Sequence, residues 1–173
     1  MEPILLEYQN HVAVVTINRA DSLNAFNYET LLDLQNKVEE IRINREVRAV
    51  IFIGAGEKAF SVGADLKERK TLSDEHVKRN LYKINEVFSA IDNLPQPTIA
   101  AINGFAFGGG MELALACDFR FAAREALMGL TETSLAIIPG AGGTQRLPRL
   151  IGQAKALELI LTARRLSADE ALT

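Results

Sequence analysis

Short runs of apolar and β-branched residues recur along the chain, and each of them predicts a strand. Two of these runs lie on either side of the polar segment Gln9-Asn10-His11, an arrangement that predicts a hairpin. Residues 49–53 and 98–102 are almost entirely apolar, which is typical of strands buried on both faces of a sheet. The predicted strands cover residues 4–8, 12–17, 49–53, 98–102 and 119–123.

Between the strands, hydrophobic residues recur every three or four positions, which is the period of an amphipathic helix. Asn27 and Ser73 stand where their side chains can cap the first two helices, and Pro95 and Pro97 end the second. The apolar positions of these two helices are Leu31, Leu34, Val38 and Ile41, followed by Val77, Leu81, Ile84, Val87 and Ile91. Further helices are predicted at residues 109–117 and 154–161.

The segments between these elements are rich in glycine or polar residues, and we predict them as loops or turns. They cover residues 18–27, 54–66, 103–108 and 129–143. The resulting order, β-β-α-β-α-β-α-β, predicts an α/β fold built from related strand-strand-helix units. No linker or low-complexity segment divides the chain, so residues 1–173 are expected to form one domain.

Composition and charge exclude several classes of protein. The 173 residues carry a net charge of −3, so the chain lacks the basic surface typical of nucleic-acid binders. A single cysteine, Cys117, allows no internal disulfide, and with only His11 and His76 beside it no zinc cluster is expected. The N-terminus has no signal-peptide pattern, and no apolar run is long enough to span a bilayer. We therefore expect a cytoplasmic protein that binds neither a metal ion nor a membrane.

The segment most suggestive of chemistry is the glycine-rich stretch 104–117, which follows a predicted strand and runs into a predicted helix. Its three successive glycines allow a ligand to approach the backbone, and the first N–H groups of a helix can stabilise negative charge. Glu112 falls among apolar neighbours one turn into this helix. Such a carboxylate is either functional or neutralised by a salt bridge to an arginine, and the residues alone leave both explanations open.

Two other segments carry candidate groups. Glu132 precedes a glycine-rich loop, and with Glu112 it makes a pair that can serve as acid and base. A solvated loop glutamate is the ordinary alternative for this position. In an earlier loop, Gly63 permits a turn that aims the Ala64 N–H inward, while Asp65 can cap the helix that follows.

Several other motifs do not match their functional patterns. Residues 54–59 fit the dinucleotide pattern G-x-G-x-x-A, but no helix is predicted to begin there. Residues 140–143 are not followed by the Gly-Lys-Ser/Thr of a P-loop, and the chain has no G-x-S-x-G elbow. We expect His11 and His76 to lie in solvent and Cys117 to be a small core residue.

Taken together, the candidate segments resemble the enoyl-CoA hydratase/isomerase family, also called the crotonase superfamily. The matching motifs stand in family order along the chain. They are Asn24-Ala25 and residues 60–68, 97–104, 108–118 and 129–149. The resemblance implies an α/β fold, a spiral of repeated β-β-α units, here lacking the family's C-terminal helical region.

By the same resemblance, the substrate is an acyl-CoA thioester, and no separate cofactor is needed because coenzyme A is part of that substrate. The N–H groups of Ala64 and Gly109 match the family's oxyanion hole, and Glu112 and Glu132 match its two catalytic glutamates. Both glutamates are retained, which favours a hydratase that adds water to a 2-enoyl-CoA. The implied contacts with the substrate are those of Ala64, Asp65, Leu66, Lys67, Gly109, Pro139 and Gly140.

Residues 129–140 look most similar to the methylglutaconyl-CoA hydratase branch, some of whose members bind RNA through lysines on the first helix. In this chain the same spacing falls on Tyr28, Leu32 and Asn36, so no nucleic-acid partner is expected. Two alternatives to a hydratase stay open. One is an enoyl-CoA isomerase, and the other is a non-catalytic crotonase-like module that binds RNA or protein.

Members of the family continue beyond the Ala-Leu-Thr at which this sequence ends. The additional region closes the acyl pocket and builds trimer contacts. We therefore expect the core domain of residues 1–173 to be incomplete at its C-terminus, and its full-length form to assemble as a homotrimer or a dimer of trimers. The reaction would belong to the breakdown of fatty-acid or branched-chain acyl-CoA thioesters.

Overall fold

The computed structural model describes residues 2–172, which form two β-sheets with α-helices packed against them. The strands are β1 (Ile4–Gln9), β2 (Val12–Ile17), β3 (Ala49–Gly54), β4 (Ala59–Ser61), β5 (Thr98–Ile102), β6 (Phe105–Phe107), β7 (Phe119–Ala122), β8 (Leu127–Gly129) and β9 (Leu166–Ser167). The helices are α1 (Tyr28–Ile43), α2 (Leu66–Arg69), α3 (Asp74–Asp92), α4 (Gly109–Ala116), α5 (Gly143–Ile151), α6 (Gln153–Thr162) and α7 (Ala168–Ala171).

The connection between the sheets is a spiral. The larger sheet has the order β1-β2-β3-β5-β7 and the smaller one β4-β6-β8-β9. In each consecutive pair β3/β4, β5/β6 and β7/β8, the first strand joins the larger sheet, the second joins the smaller sheet, and helical structure follows. Strands from successive turns pair in parallel, as a repeated right-turning unit requires. The predicted α/β spiral of β-β-α units is therefore confirmed.

The predicted helices and their caps are confirmed in the first half of the chain. The Asn27 side chain accepts a hydrogen bond from the Thr30 N–H at 2.9 Å, and the Ser73 hydroxyl accepts one from the His76 N–H at 3.4 Å. Both bonds satisfy donors that the first turn of a helix leaves free.

The stripe of α1 and the second half of the α3 stripe, from Ile84 onward, join one core cluster with the strands of the larger sheet. The first half of the α3 stripe does not: Val77 is only partly buried and Leu81 is exposed, because both line the open pockets beside α2. No helix among the described residues is long and apolar enough to cross a membrane.

The expectation that β3 and β5 are buried on both faces is wrong. Val50 and Phe52 of β3 are fully buried, whereas their neighbours Ile51 and Ile53 are only partly buried. The same alternation runs along β5. The physical reason is that α1 and α3 pack on the face that carries Val50 and Phe52, while the opposite face is only partly covered within residues 2–172.

Three of the four strands of the smaller sheet lie wholly or partly in segments predicted as loops. Strand β4 lies in the predicted loop 54–66, β6 in 103–108, and β8 ends in 129–143. Each strand has three residues, too few to show an alternating pattern, and each has glycines close by. The helix of residues 143–151 also begins where a loop was predicted to end. These short strands position the loops that carry the candidate site.

Candidate active site

Glu112 is held inside the protein by backbone donors. Its side chain is 3% exposed, and Oε1 accepts hydrogen bonds from the Ala141 N–H at 2.7 Å and the Gly143 N–H at 2.9 Å. Burial raises the pKa of Glu112, and the two N–H groups and the Arg146 charge act in the opposite direction. The alternative of a salt bridge to an arginine is wrong, because Arg146 pairs with Asp92 at 3.1 Å.

Glu132 is also buried, but fewer hydrogen bonds offset the cost of burying its carboxyl group. It opens a short 3-10 turn after β8 and is 8% exposed, so the alternative of a solvated loop glutamate is wrong. Its Oε2 atom has no hydrogen-bond partner within residues 2–172. Burial, and then the nearby charge of Glu112, raise the pKa of Glu132 to about 7. At neutral pH this carboxyl group is therefore divided between its acid and its base forms.

Two backbone N–H groups converge beside the glutamates. Gly63 has a φ of +87°, and a Cβ at this position would lie only 2.6 Å from the Gly109 nitrogen. The Gly63 carbonyl and the Asp65 N–H both bond to Phe26, so the Ala64 N–H between them points the other way. Gly109 is the first residue of α4, and its N–H therefore has no acceptor within the helix. The pair of donors is suited to an oxygen that gains negative charge.

A buried polar network lies beneath the Ala64 loop. The Ser61 hydroxyl donates to the Asn24 carbonyl at 2.8 Å and accepts from the Gly63 N–H at 3.2 Å. The Arg19 guanidinium pairs with the Asp65 carboxylate at 3.0 Å. Together these contacts tie the turn at Gly63 to the loop before α1 and hold it in place.

All four candidate groups line one cleft. It contains about 600 Å³ of empty space and opens to solvent, and Glu112, Glu132, Ala64 and Gly109 all contribute to its wall. Apolar side chains form much of the rest, namely Leu81, Ile84, Leu135, Ile137 and Ile138. The cleft thus combines two carboxyl groups and two backbone N–H donors with a largely apolar surface, as is typical of small-molecule sites.

The remaining predicted substrate contacts are not all in this cleft. Leu66 and Gly140 line it, and Asp65 lines an adjacent cavity that is open to solvent. Lys67 is exposed on α2. Pro139 is buried and lines neither the cleft nor the adjacent cavity. The N–H groups of Asp65 and Lys67 are already bonded within the protein and are therefore not free to bind a substrate.

The structure also shows the surroundings of the motifs that did not match a functional pattern. Residues 54–59 lead into strand β4 and no helix begins there, so the rejection of a dinucleotide fingerprint is confirmed. His11 and His76 are exposed, and Cys117 is buried, as predicted. Within residues 2–172, no group of three or more His, Cys, Asp or Glu side chains is placed to hold a metal ion.

Sequence reasoning missed several residues that organise the site. The partners of Glu112 are the N–H groups of Ala141 and Gly143, and no residue type in a sequence reveals which backbone donor a carboxylate will meet. Asn24 belongs to a motif that signals the family, yet its partners at Ala55 and Ala59 are more than thirty residues away. The motif spacing flags such residues without showing their contacts.

Comparisons with known proteins identify the family of the chain. Residues 7–173 match the model of the family described as enoyl-CoA hydratase/isomerase. A crystal structure of enoyl-CoA hydratase from Bacillus anthracis superposes with a TM-score of 0.96 at 54% identity, over 98% of this chain and 66% of that one. The short-chain-enoyl-CoA hydratase of Clostridium acetobutylicum is 48% identical over 98% of this chain and 65% of its own length.

A third relative bears on the choice of substrate. The mitochondrial methylglutaconyl-CoA hydratase of Homo sapiens is 50% identical over 96% of this chain and 49% of its own length. The chain thus spans between half and two thirds of the length of these relatives. With a family model that covers nearly all of its residues and a solved structure that matches at 54% identity, the chain belongs to the enoyl-CoA hydratase/isomerase family.

Proposed function

We propose that the protein is an enoyl-CoA hydratase that adds water across the C2=C3 bond of a 2-enoyl-CoA thioester and forms a 3-hydroxyacyl-CoA. The observation that carries this proposal is the presence of two buried glutamates in the cleft that also holds the N–H groups of Ala64 and Gly109. Hydration needs a base for water, an acid for carbon, and a site for the enolate oxygen, and the cleft offers all three.

In the proposed reaction, the thioester carbonyl accepts hydrogen bonds from Ala64 and Gly109. Glu112 takes a proton from water as its oxygen bonds to C3, and the electrons of the double bond move onto the thioester as an enolate. Protonated Glu132 then gives its proton to C2, and the carbonyl re-forms. The two donors stabilise the enolate oxygen by several kcal/mol, because the charge develops between fixed dipoles in a site sheltered from water.

The two glutamates differ in the hydrogen bonds that offset the cost of their burial, and this difference supports the division of roles. Glu112 accepts two N–H bonds and faces Arg146, which favour its ionised form and so its use as a base. Glu132 lacks such donors at Oε2, and a pKa of about 7 keeps a large fraction protonated at neutral pH. Proton transfer between the glutamates and solvent after each turnover restores these forms.

A hydration assay tests the proposal. Crotonyl-CoA is mixed with the protein and the loss of the conjugated thioester absorbance is followed. We expect turnover by the wild-type protein and a loss of about 10²–10⁴-fold in kcat for Glu112→Gln and for Glu132→Gln, since each removes one proton transfer. Glu125→Gln, at an exposed glutamate of the turn before β8, is the matched control and keeps the wild-type rate. Full activity of the double variant at positions 112 and 132 would contradict the proposal.

The same proposal predicts the pH dependence of the reaction. The base Glu112 must be ionised, so the rate falls as the pH drops through its raised pKa. The acid Glu132 must be protonated, so the rate also falls as the pH rises above about 7. We expect a bell-shaped profile of kcat/KM, whose limbs belong to the coupled pair. A rate that stays constant between pH 5 and 9 would contradict this assignment.

An enoyl-CoA isomerase is the second candidate for the same cleft. Isomerisation requires one carboxylate to move a proton between C2 and C4, and Glu132 alone can supply it. Incubation with a 3-enoyl-CoA separates the two reactions. We expect little conversion to the 2-enoyl product, because the positioned Glu112 favours water attack at C3. Rapid isomerisation that survives Glu112→Gln would favour the isomerase.

One observation favours a substrate with a second negative charge, as in the methylglutaconyl-CoA branch. Arg69 is half-buried, lines both the catalytic cleft and the adjacent cavity, and forms no ion pair within residues 2–172. A half-buried guanidinium without a partner is poised to bind an anion, and a carboxylate is its best bidentate match. The distal carboxylate of 3-methylglutaconyl-CoA is an anion of this kind.

The variant Arg69→Met distinguishes this role from contact with the phosphates of coenzyme A. If Arg69 binds the distal carboxylate, KM for 3-methylglutaconyl-CoA rises at least tenfold while KM for crotonyl-CoA changes less than twofold. Equal increases for both thioesters would assign Arg69 to the coenzyme A moiety that they share. The exposed Arg45→Met, on the loop after α1, is the matched control and is expected to change neither value.

We also propose that the full-length form of the protein acts as a homotrimer or a dimer of trimers in acyl-CoA breakdown. Exposed apolar side chains support an assembly, among them Leu150 and Ile151 on α5 and Leu161 at the end of α6. Sedimentation equilibrium is the direct test. A monomer of the full-length form at micromolar concentration would contradict the proposed assembly without affecting the proposed chemistry.

A further inference from the structure

The loop that holds Glu112 is itself held by an arginine. Arg146 lies in the first half of α5, and its Nη1 donates to the Ala141 carbonyl at 3.0 Å. That carbonyl lies between the two N–H groups, of Ala141 and Gly143, that bond to Glu112. One side chain therefore fixes the short segment on which both donors to Glu112 depend.

The other end of the same guanidinium is anchored to α3. Its Nε and Nη2 both donate to the Asp92 carboxylate, at 3.2 and 3.1 Å. Asn85, two turns earlier on α3, donates to the Gly140 carbonyl at 2.9 Å. The segment 140–143 is thus tied to α3 at two points, and Arg146 provides the one that lies next to the Glu112 donors.

The geometry leaves little freedom for this arrangement. A Cβ on Gly142 would lie 2.0 Å from the Arg146 Nη1, so the guanidinium lies directly against the backbone of the loop. The Arg146 side chain is 15% exposed, whereas Asp92 is 50% exposed. A planar fork with several N–H donors can bond a carboxylate on one edge and a carbonyl on another, which a lysine ammonium cannot do in the same orientation.

We propose that Arg146 is a positioning residue for the reaction, which holds the 141–143 loop so that its two N–H groups keep Glu112 ionised and directed at the attacking water. The proposal rests on the function proposed above, since it assigns a role to Glu112. Arg146 touches no reacting atom in this scheme and acts through Ala141 and Gly143.

The charged groups that face Glu112 define how the role can be measured. Glu132, from the turn after β8, and Arg146, from α5, act on Glu112 directly, and Arg69, from α2, lines the same cleft. Removal of the Arg146 charge and release of the loop both disfavour the ionised carboxylate of Glu112. The pKa of Glu112 therefore rises in a variant without the guanidinium, and the acid limb of kcat/KM moves to higher pH.

The first test uses Arg146→Met with the matched control Arg149→Met. Arg149 lies one turn later on the same helix, and among the described residues its side chain bonds only the Gln145 carbonyl of that helix. We expect Arg146→Met to move the acid limb upward by about one pH unit, with a larger loss in kcat than increase in KM. Arg149→Met leaves the profile unchanged. Arg146→Lys keeps the charge and loses the fork, so we expect an intermediate shift.

A second measurement separates this proposal from the hydratase assignment. Carbon-13 NMR titration of the glutamate side chains, with the Glu112 signal assigned by its loss in Glu112→Gln, reports the ionisation of Glu112 without any substrate. If the wild-type protein hydrates no enoyl-CoA, the proposed function fails while this titration still decides the role of Arg146. An unchanged Glu112 titration in Arg146→Met would overturn the proposal, even if the variant were less stable.

Asp92→Asn provides a separate test if Arg146→Met does not fold. It removes the charge of the anchor on α3 and retains Arg146. We expect it to raise the Glu112 titration and the acid limb in the same direction by a smaller amount, while the thermal midpoint stays within a few degrees. Absence of a shift in both Asp92→Asn and Arg146→Lys would contradict the proposed positioning role.

Discussion

The two glutamates of the cleft are buried to a similar degree, yet their surroundings differ. Glu112 receives two backbone hydrogen bonds, whereas Glu132 has an oxygen without a partner in the described part of the chain. Because a buried carboxylate is costly to ionise unless donors compensate it, this difference separates the protonation states of two chemically identical side chains. The assignment of acid and base therefore depends on their neighbours.

Glu132→Gln is expected to stabilise the protein above neutral pH. The pKa of Glu132 is raised from 4.5 to about 7 in the folded state. The free energy of unfolding of the wild-type protein therefore decreases as the pH rises through this range. Below pH 4.5 the carboxyl is protonated in both states and the substitution has little effect. At pH 8 the gain in the free energy of unfolding is at most roughly 3 kcal/mol.

Urea unfolding at pH 5 and pH 8 measures this difference for Glu132→Gln and for the exposed control Glu125→Gln. The control should show the same small difference at both pH values. If the stability gain of Glu132→Gln were larger at pH 5 than at pH 8, the buried environment of Glu132 would have been misassigned.

Asn24→Ala is expected to lower the free energy of unfolding by about 2–4 kcal/mol, because it leaves buried backbone groups without partners. The Asn24 side chain is fully buried, accepts from the Arg19 N–H at 3.0 Å, and donates to Ala55 and Ala59 at 3.0 and 2.7 Å. Asn36→Ala, at an exposed position of α1, is the matched control and should have almost no effect. A loss below 1 kcal/mol for Asn24→Ala in denaturant unfolding would contradict this account.

At the scale of elements, the site is built where strands of the smaller sheet end. The Ala64 loop follows β4, Gly108 and the start of α4 follow β6, and Glu132 follows β8. Because β4, β6 and β8 are parallel neighbours, their carboxyl ends lie at the same edge of the sheet. The spiral therefore brings together three loops that are far apart in the sequence.

Gly63→Ala is expected to lower the hydration rate by more than about 100-fold, a loss typical of a displaced oxyanion donor. The added Cβ would lie 2.6 Å from the Gly109 nitrogen, so the loop that carries the Ala64 N–H must move. Gly56→Ala is the matched control, since Gly56 also has a positive φ but an added Cβ meets only the Ala20 Cβ, at 3.6 Å.

The control should cost about 1–2 kcal/mol of stability from backbone strain and keep the wild-type kcat. Comparison of kcat and thermal midpoints for both variants separates strain from displacement. Equal rates for Gly63→Ala and wild type would show that the N–H of Ala64 does not contribute to the reaction.

At the scale of the whole molecule, one core cluster joins the helices to both sheets. Phe52 of β3 and Phe60 of β4 are fully buried members of this cluster, one in each sheet. By contrast, β7 is the outer strand of the larger sheet and exposes Phe119 and Phe121 by 55% and 65%. The stability of the described fold therefore depends on the side of the larger sheet that faces the helices.

Phe52→Ala is expected to cost about 3–5 kcal/mol in the free energy of unfolding, the range for a large side chain removed from a close-packed core. Phe121→Ala is the matched control on the same sheet and should change stability by less than about 0.5 kcal/mol. Chemical denaturation measures both. A large, concentration-dependent loss for Phe121→Ala would instead show that another copy of the chain covers β7.

Much of the fold could be predicted from the sequence because its signals are local. The stripe from Leu31 to Ile41, the caps Asn27 and Ser73, and the turn around Asn10 each depend on residues within a few positions of one another. The strands β4, β6 and β8 were missed because three residues show no periodicity. Their pairing is decided by partners distant in the sequence.

The candidate site divides in the same way. Residue type and local pattern are enough to identify the available groups, which are Glu112, Glu132, and the turns that carry Ala64 and Gly109. The tertiary fold is needed to place these groups in one cleft, to bring Ala141 and Gly143 to Glu112, and to leave Glu132 without equivalent donors in the described part of the chain. The physical reason is that burial and hydrogen bonding depend on residues brought together by folding, and these, rather than residue type, set the charge of a carboxyl group.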